Sequence, residues 1–213
     1  MSIEQVVAAA VAQIEASHAA REEALTRSRA LIRQCANAIR AVHRREFESA
    51  AEQIEQARAT AQALREGLSG HPSLLYAGYT QDALKEYAEA ALVYAFLRGE
   101  EPPGADELQV DPAAYLNGLA EAASELRRAI LDALRRGETA GCEALLAIMD
   151  DVYSLLVTVD YPDAVTGGLR RTTDALRAVL ERTRGDVTAA IRQDQLAVAL
   201  AAFETRIGRQ SEG

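Results

Sequence analysis

Tryptophan is missing from this 213-residue sequence, and tyrosine and phenylalanine bring the aromatic content to only 5%. So few flat, bulky side chains suit sheets poorly, whereas abundant alanine suits closely packed helices. Histidine occurs only as His18, His43 and His71. A ferritin-like di-iron centre needs two Glu-x-x-His elements; Glu15-Ala16-Ser17-His18 has no second copy, so that reading fails. The two cysteines, Cys35 and Cys142, stand apart in apolar helical contexts, which argues for buried, reduced thiols rather than a disulfide framework or a zinc knuckle. No Walker loop and no G-x-S-x-G elbow occurs. No apolar run approaches the roughly 18 residues of a membrane span. The start, Met1-Ser2-Ile3-Glu4, lacks a basic leader, and Glu4 and Glu15 count against a transit peptide, so a cytoplasmic location is expected.

Breakers are also sparse. The first glycine is Gly67 and the first proline Pro72, so a long helical run opens the chain, with Ser2 and Gln5 placed for a capping box. Within it Leu25, Ser28, Ile32, Cys35, Ile39 and Val42 alternate at spacings of three and four, the pattern of a helix packing along a neighbour. Further helices are predicted near 47–68, 73–98, 112–136, 139–160, 163–184 and 186–207. Arg98-Gly99-Glu100, Arg136-Gly137-Glu138 and Arg184-Gly185-Asp186 read as helix ends, and Asp111-Pro112 as a helix start. No stretch alternates as a strand does. An all-α bundle of about seven helices follows, as a single domain over 1–213 with a short flexible C-terminal tail from about 208. The first run carries more apolar stripe than a short bundle can cover, so self-assembly is expected.

The formal net charge is −9, which argues against a surface coated in nucleic acid. Distribution matters more than the sum. Of 23 basic residues only Lys85 is a lysine, and positions 21–45 hold seven arginines against Glu22 and Glu23. Arg29, Arg33, Arg40 and Arg44 fall on one helix face, where four guanidinium groups could follow a phosphate backbone or form a solvated face. His43 is expected to hydrogen-bond on the helix surface or to meet nucleic acid rather than to bind metal. Gly167-Gly168 beside Arg170-Arg171 fits a tight turn near an anion, or a turn that only needs small residues.

Two acidic pairs carry the chemistry. Glu86 and Glu89 share one helix face, and Glu121 and Glu125 share another. Taken singly, each pair reads as solvated surface. The apolar neighbours Tyr87, Ala90, Ala91, Val93 and Tyr94 of the first, and Leu119, Ala122 and Leu126 of the second, point to burial. If these helices pack together, four carboxylates converge, and they need protons or a cation; hard oxygen ligands suit Mg²⁺ or Mn²⁺.

The segments Leu84-Lys85-Glu86-Tyr87-Ala88-Glu89-Ala90 and Tyr115-Leu116-Asn117-Gly118-Leu119-Ala120-Glu121 through Glu125-Leu126 resemble the translin family, above all its catalytic branch, translin-associated factor X. The helix from Ser28 to Arg44 and the segment from Tyr161 to Arg171 add to the match, which spans about residues 20–195. Glu121 stands where the family has Asp, one methylene longer, which moves the carboxylate by about 1.5 Å. The resemblance implies a hollow closed oligomer, typically an octamer. It also implies a Mg²⁺-dependent endoribonuclease cleaving single-stranded or mismatched RNA, with Glu86, Glu89, Glu121 and Glu125 as catalytic and metal-binding residues. Arg128 would then join the arginine stripe on RNA, since the family often keeps a basic residue there. The alternative is the branch that binds single-stranded RNA or DNA without cleaving it.

Overall fold

Most helix breakers fall where the chain turns, but not all. In the computed structural model, residues 2–211 are described, with side chains for 2–207. Among them lie six long helices: α1 (Ile3–His43), α2 (Phe47–Gly67), α4 (Gly78–Arg98), α6 (Pro112–Arg135), α7 (Cys142–Leu156) and α9 (Leu169–Ser211). Single turns form α3 (Pro72–Leu75), α5 (Ala105–Leu108) and α8 (Asp163–Thr166), and no strand occurs among the described residues. The C-terminal tail expected from about 208 lies outside the described side chains; the α9 backbone runs on to Ser211.

Local signals act as expected at most ends. Ser2 and Gln5 form the capping box of α1, and Asp111 caps α6 through the Ala113 amide at 2.9 Å, with Pro112 in the first turn. Gly99 closes α4 in the left-handed region at φ 69°, a conformation that costs glycine little.

The first exception is the helix expected over 73–98, which is broken at Tyr76-Ala77. There Thr80 Oγ1 donates to the Leu74 carbonyl at 2.8 Å and Gln81 Nε2 to the Leu75 carbonyl at 2.9 Å. Gln81 thus supplies a partner for the Leu75 carbonyl that the broken helix leaves free, and Thr80 adds a second donor to the Leu74 carbonyl, which the Ala77 amide reaches at 3.3 Å. The second is Gly185, which ends nothing: α9 passes through it. Buried Thr183 and Val187 anchor the helix on either side. Arg184 pairs with Asp150 of α7 at 2.7 Å and Asp186 with Arg127 of α6 at 2.8 Å, so packing overrides the roughly 1 kcal/mol that an interior glycine costs.

Two apolar clusters make the core. One joins the middle of α1 to α2 and the front of α4; the other gathers the ends of α1 and α4 with α6, α7 and α9. The α1 seam is rotated from the expected one. Ala24, Ser28, Leu31, Cys35, Ala38 and Val42 are buried, whereas Ile32 is 36% exposed. Small residues at this seam let α2 and α4 approach closely, so volume rather than hydropathy chooses the inner face. Both cysteines are buried and unpaired.

Helices α4 and α6 cross closely at Gly118. A Cβ on Gly118 would lie 2.8 Å from the Lys85 carbonyl oxygen, 3.2 Å from Ala88 Cβ and 3.2 Å from the Glu89 nitrogen. The Gly118→Ala change should therefore destabilise the fold by about 1–3 kcal/mol, the usual cost of overpacking. The Gly185→Ala change, with nothing within 4 Å of its added methyl, should stabilise it by up to about 1 kcal/mol. Denaturant unfolding of the two variants checks both signs.

Candidate functional site

Glu121 follows Gly118 by one turn of α6, so the close crossing brings it against the α4 face that carries Glu86 and Glu89. Oxygen atoms of Glu86, Glu89 and Glu121 lie within 4.8 Å of one another. Glu89 is 8% exposed, and among the described residues it has no hydrogen-bond or ion-pair partner. Glu86 and Glu121 keep 28% and 34% of their side chains exposed. One cluster thus has a dry floor and a wet mouth.

Lys85 neutralises part of it. Its ammonium pairs with Glu121 and, at 3.2 Å, with Glu86. Burial pulls the Lys85 pKa down, but the hydrogen bond and charge of Glu121 and the charge of Glu86 outweigh that and hold it above the ordinary lysine value. Glu89 responds in the opposite sense. Burial first, then the charges of Glu86, Glu121 and Glu125, push its pKa up to about 8 against the relief that Lys85 provides. In the absence of a metal cation, Glu89 is therefore largely protonated at neutral pH.

Glu125 stands apart from this group of three. His43 Nε2 lies 2.7 Å from its Oε2, and this hydrogen bond, with the charges of His43 and Arg128, outweighs burial and holds the Glu125 pKa below the usual carboxylate range. An ionised Glu125 can only accept, so Nε2 donates. The His43 side chain is 1% exposed, which corrects its expected place on the helix surface: the residue points inward between α1 and α6. Its Nδ1 is buried without a partner.

The expected arginines are scattered in their roles. Arg29, Arg33, Arg40, Arg44 and Arg128 are all exposed. Arg44 is tied to Glu46 at 2.7 Å and Arg40 donates to Asn37. Arg29 and Arg33 make no ion pair among the described residues. Lys85 and His43, which hold the acidic residues in place, had no such role in the sequence reading. The signal for Lys85 was there: the sole lysine stands directly before Glu86 in a chain that otherwise uses arginine.

Three carboxylates with oxygens this close fit a hard divalent ion, whose ligands stand about 2.0–2.6 Å from it, once the Lys85 ammonium gives way. The class defined by fold and site is thus an all-helical bundle with an acidic seam between two central helices. No family model matches the chain. It is 32% identical over 181 residues to an uncharacterized protein of Methanocaldococcus jannaschii, covering 83% of this chain and 78% of that one. A crystal structure of AfC3PO superposes with a TM-score of 0.80 at 29% identity, covering 88% of this chain and 97% of that one. The structure of AfC3PO with duplex RNA gives a TM-score of 0.75 at 30% identity, again over 88% and 97% of the two chains. Apo-NeC3PO, at 20% identity and a TM-score of 0.77 over 89% and 98%, shows the shared fold alone. The chain belongs to the C3PO, or translin, family.

The Glu89 shift has a consequence for stability. Unfolded, Glu89 titrates near the ordinary carboxylate value of 4.5; folded, at about 8. The folded state therefore holds a proton that the unfolded state has lost across that interval, and stability falls as pH rises through it. In chelator, stability should decline from about pH 5 to pH 8 by an amount on the order of a few kcal/mol, and the Glu89→Gln change should flatten that decline. Melting curves across pH, with and without Mg²⁺, measure it.

Proposed function

We propose that this chain is the subunit of an oligomeric, Mg²⁺- or Mn²⁺-dependent endoribonuclease that cleaves single-stranded or mismatched RNA, closest to the catalytic branch of its family. The observation that carries this reading is the convergence of Glu86, Glu89 and Glu121 on one spot, with the least exposed of them electrostatically frustrated. A cation bound there would neutralise charge on the scissile phosphate and lower the pKa of an attacking water. Glu86 and Glu121 supply exposed oxygens at the mouth, Glu89 closes the floor, and Glu125, oriented and kept ionised by His43, stands beside them to orient water. Arg128, one turn beyond Glu125, and the Arg29, Arg33, Arg40 and Arg44 face supply phosphate contacts. AfC3PO, whose structure is known with duplex RNA, supports the RNA partner.

Assembly is part of the proposal. Residues 3–19 of α1 and 192–206 of α9 are exposed throughout, yet they carry Ile3, Val7, Val11 and Ile14 on one helix and Leu196, Leu200 and Phe203 on the other. These stripes at helical spacing are what a partner subunit would cover, in a hollow shell of eight subunits, the count that the family resemblance implies. Light scattering should give a mass several times 22.9 kDa, and the Leu200→Asp with Phe203→Asp double change should lower it. A monomer at micromolar concentration would overturn the shell.

One observation favours the non-catalytic alternative: Lys85 already neutralises Glu86 and Glu121, as it would in a shell that only binds single-stranded RNA or DNA. Incubation with labelled single-stranded RNA decides. We expect cleavage with Mg²⁺ and none in chelator. The Glu89→Gln or Glu125→Gln change should lower cleavage by about two orders of magnitude or more while RNA binding persists, and Glu121→Asp should keep activity. Replacing Arg29, Arg33, Arg40 and Arg44 with Gln should weaken binding of unrelated sequences alike and flatten its salt dependence. Binding without metal-dependent cleavage would favour the alternative.

A further inference from the structure

Next to the carboxylate cluster, a cavity of about 500 Å³ opens between the front of α4, the first turn of α6 and the start of α9. It shares Lys85 and Glu121 with the cluster, so whatever fills it lies beside the place where a cation would sit. Three long helices begin at its walls: α4 at Gly78, α6 at Pro112 and α9 at Leu169. Helix starts carry unpaired amides and partial positive charge.

Its side chains divide by chemistry. Arg171 is exposed and makes no ion pair among the described residues. Tyr76, 65% exposed, stands at the α3–α4 break and offers a ring face. Gln81, on the same lining, has an Oε1 that is buried and without a partner. Three carboxylates also line the cavity. Asp111 is engaged in capping α6, Glu121 is held by Lys85, and Asp82 is exposed.

The wall opposite is fixed rather than loose. Asn117, 5% exposed, donates through Nδ2 to the carbonyls of Ala113 and Thr166, each at 2.8 Å, and accepts from Thr172 Oγ1 at 2.6 Å. This clamp ties the Gly167-Gly168 turn, both glycines at positive φ, to α6 and sets Arg171 at the cavity. The glycine turn that the sequence left with two readings thereby sits at a polar cavity.

We propose that this cavity is the subsite for the RNA nucleotide flanking the cleaved bond. Tyr76 stacks its base, Arg171 takes its phosphate through the guanidinium fork, and Gln81 Oε1 accepts from a base amino group or a ribose hydroxyl. Lys85 is the hinge between the two sites: when a cation takes over Glu86 and Glu121, its ammonium is freed to turn into the cavity and meet the same phosphate. A lysine suits that exchange because its charge is compact and its stem flexible, whereas an arginine fork would stay locked on the carboxylates.

This inference rests on the nuclease reading, and the test separates the two. Steady-state cleavage of a labelled single-stranded RNA hexamer is measured for wild type, Tyr76→Ala, Tyr76→Phe, Arg171→Gln and Glu89→Gln. Tyr76 and Arg171 are exposed, so these changes spare the core. We expect KM to rise about tenfold or more for Tyr76→Ala and for Arg171→Gln, in line with the loss of one stacking or phosphate contact, and Tyr76→Phe to keep the wild-type KM. A second readout uses the same hexamer oxidised at its 3′-terminal ribose to a dialdehyde, which forms an imine with an amine and is trapped by cyanoborohydride. Lys85 is the only lysine, so peptide mass spectrometry should place the RNA there, with the yield raised by Mg²⁺ and lowered by Arg171→Gln. If wild type cleaves, Glu89→Gln does not, and both subsite variants keep the wild-type KM, the subsite is overturned and the nuclease stands. If wild type neither binds nor cleaves RNA, both fall.

Discussion

Everything at the site depends on how closely α4 and α6 approach at Gly118. With no side chain there, the α6 backbone sits against the Lys85 carbonyl and the Glu89 amide, and the next turn of α6 delivers Glu121 to the face that carries Glu86 and Glu89. An ordinary helix spacing of about 8–10 Å with larger side chains between would leave two separate, solvated acidic pairs. Contact of the backbones instead joins Glu121 to Glu86 and Glu89 in one group whose charges must be compensated together, while Glu125 is held by His43.

That compensation comes in three forms, each legible in a different residue. Lys85 supplies a tethered positive charge to Glu86 and Glu121. His43 supplies a hydrogen bond that keeps Glu125 ionised. Glu89, the most enclosed, has neither and holds a proton instead. On the proposed reading, a divalent ion would replace a proton and a movable ammonium here rather than a fixed partner.

Much of the architecture could be read from the sequence because helix ends are local events. Capping at Ser2 and Asp111 and the left-handed Gly99 depend on a few neighbouring residues, and these were placed correctly. Where tertiary contacts outweigh local preference, the reading failed. Gly185 looked like an end but is held inside α9 by buried neighbours and two ion pairs, and the α1 seam turned toward small residues because close packing selected them. The acidic pairs were visible through their spacing; their joining at Gly118 was not, since a glycine inside a helix gives no sign of what it touches. Burial of His43 and the bridging by Lys85 depend on that crossing, and so escaped the sequence as well.

On the proposed reading, a divalent cation displaces Lys85 from the carboxylates. A crystal structure with bound Mn²⁺, located by its anomalous scattering, tests it most directly. The expected result is one manganese peak among the oxygens of Glu86, Glu89 and Glu121, with Lys85 Nζ no longer in contact with Glu86 or Glu121. A saturated crystal with no peak there, or with Lys85 still bridging the two acids, would contradict it.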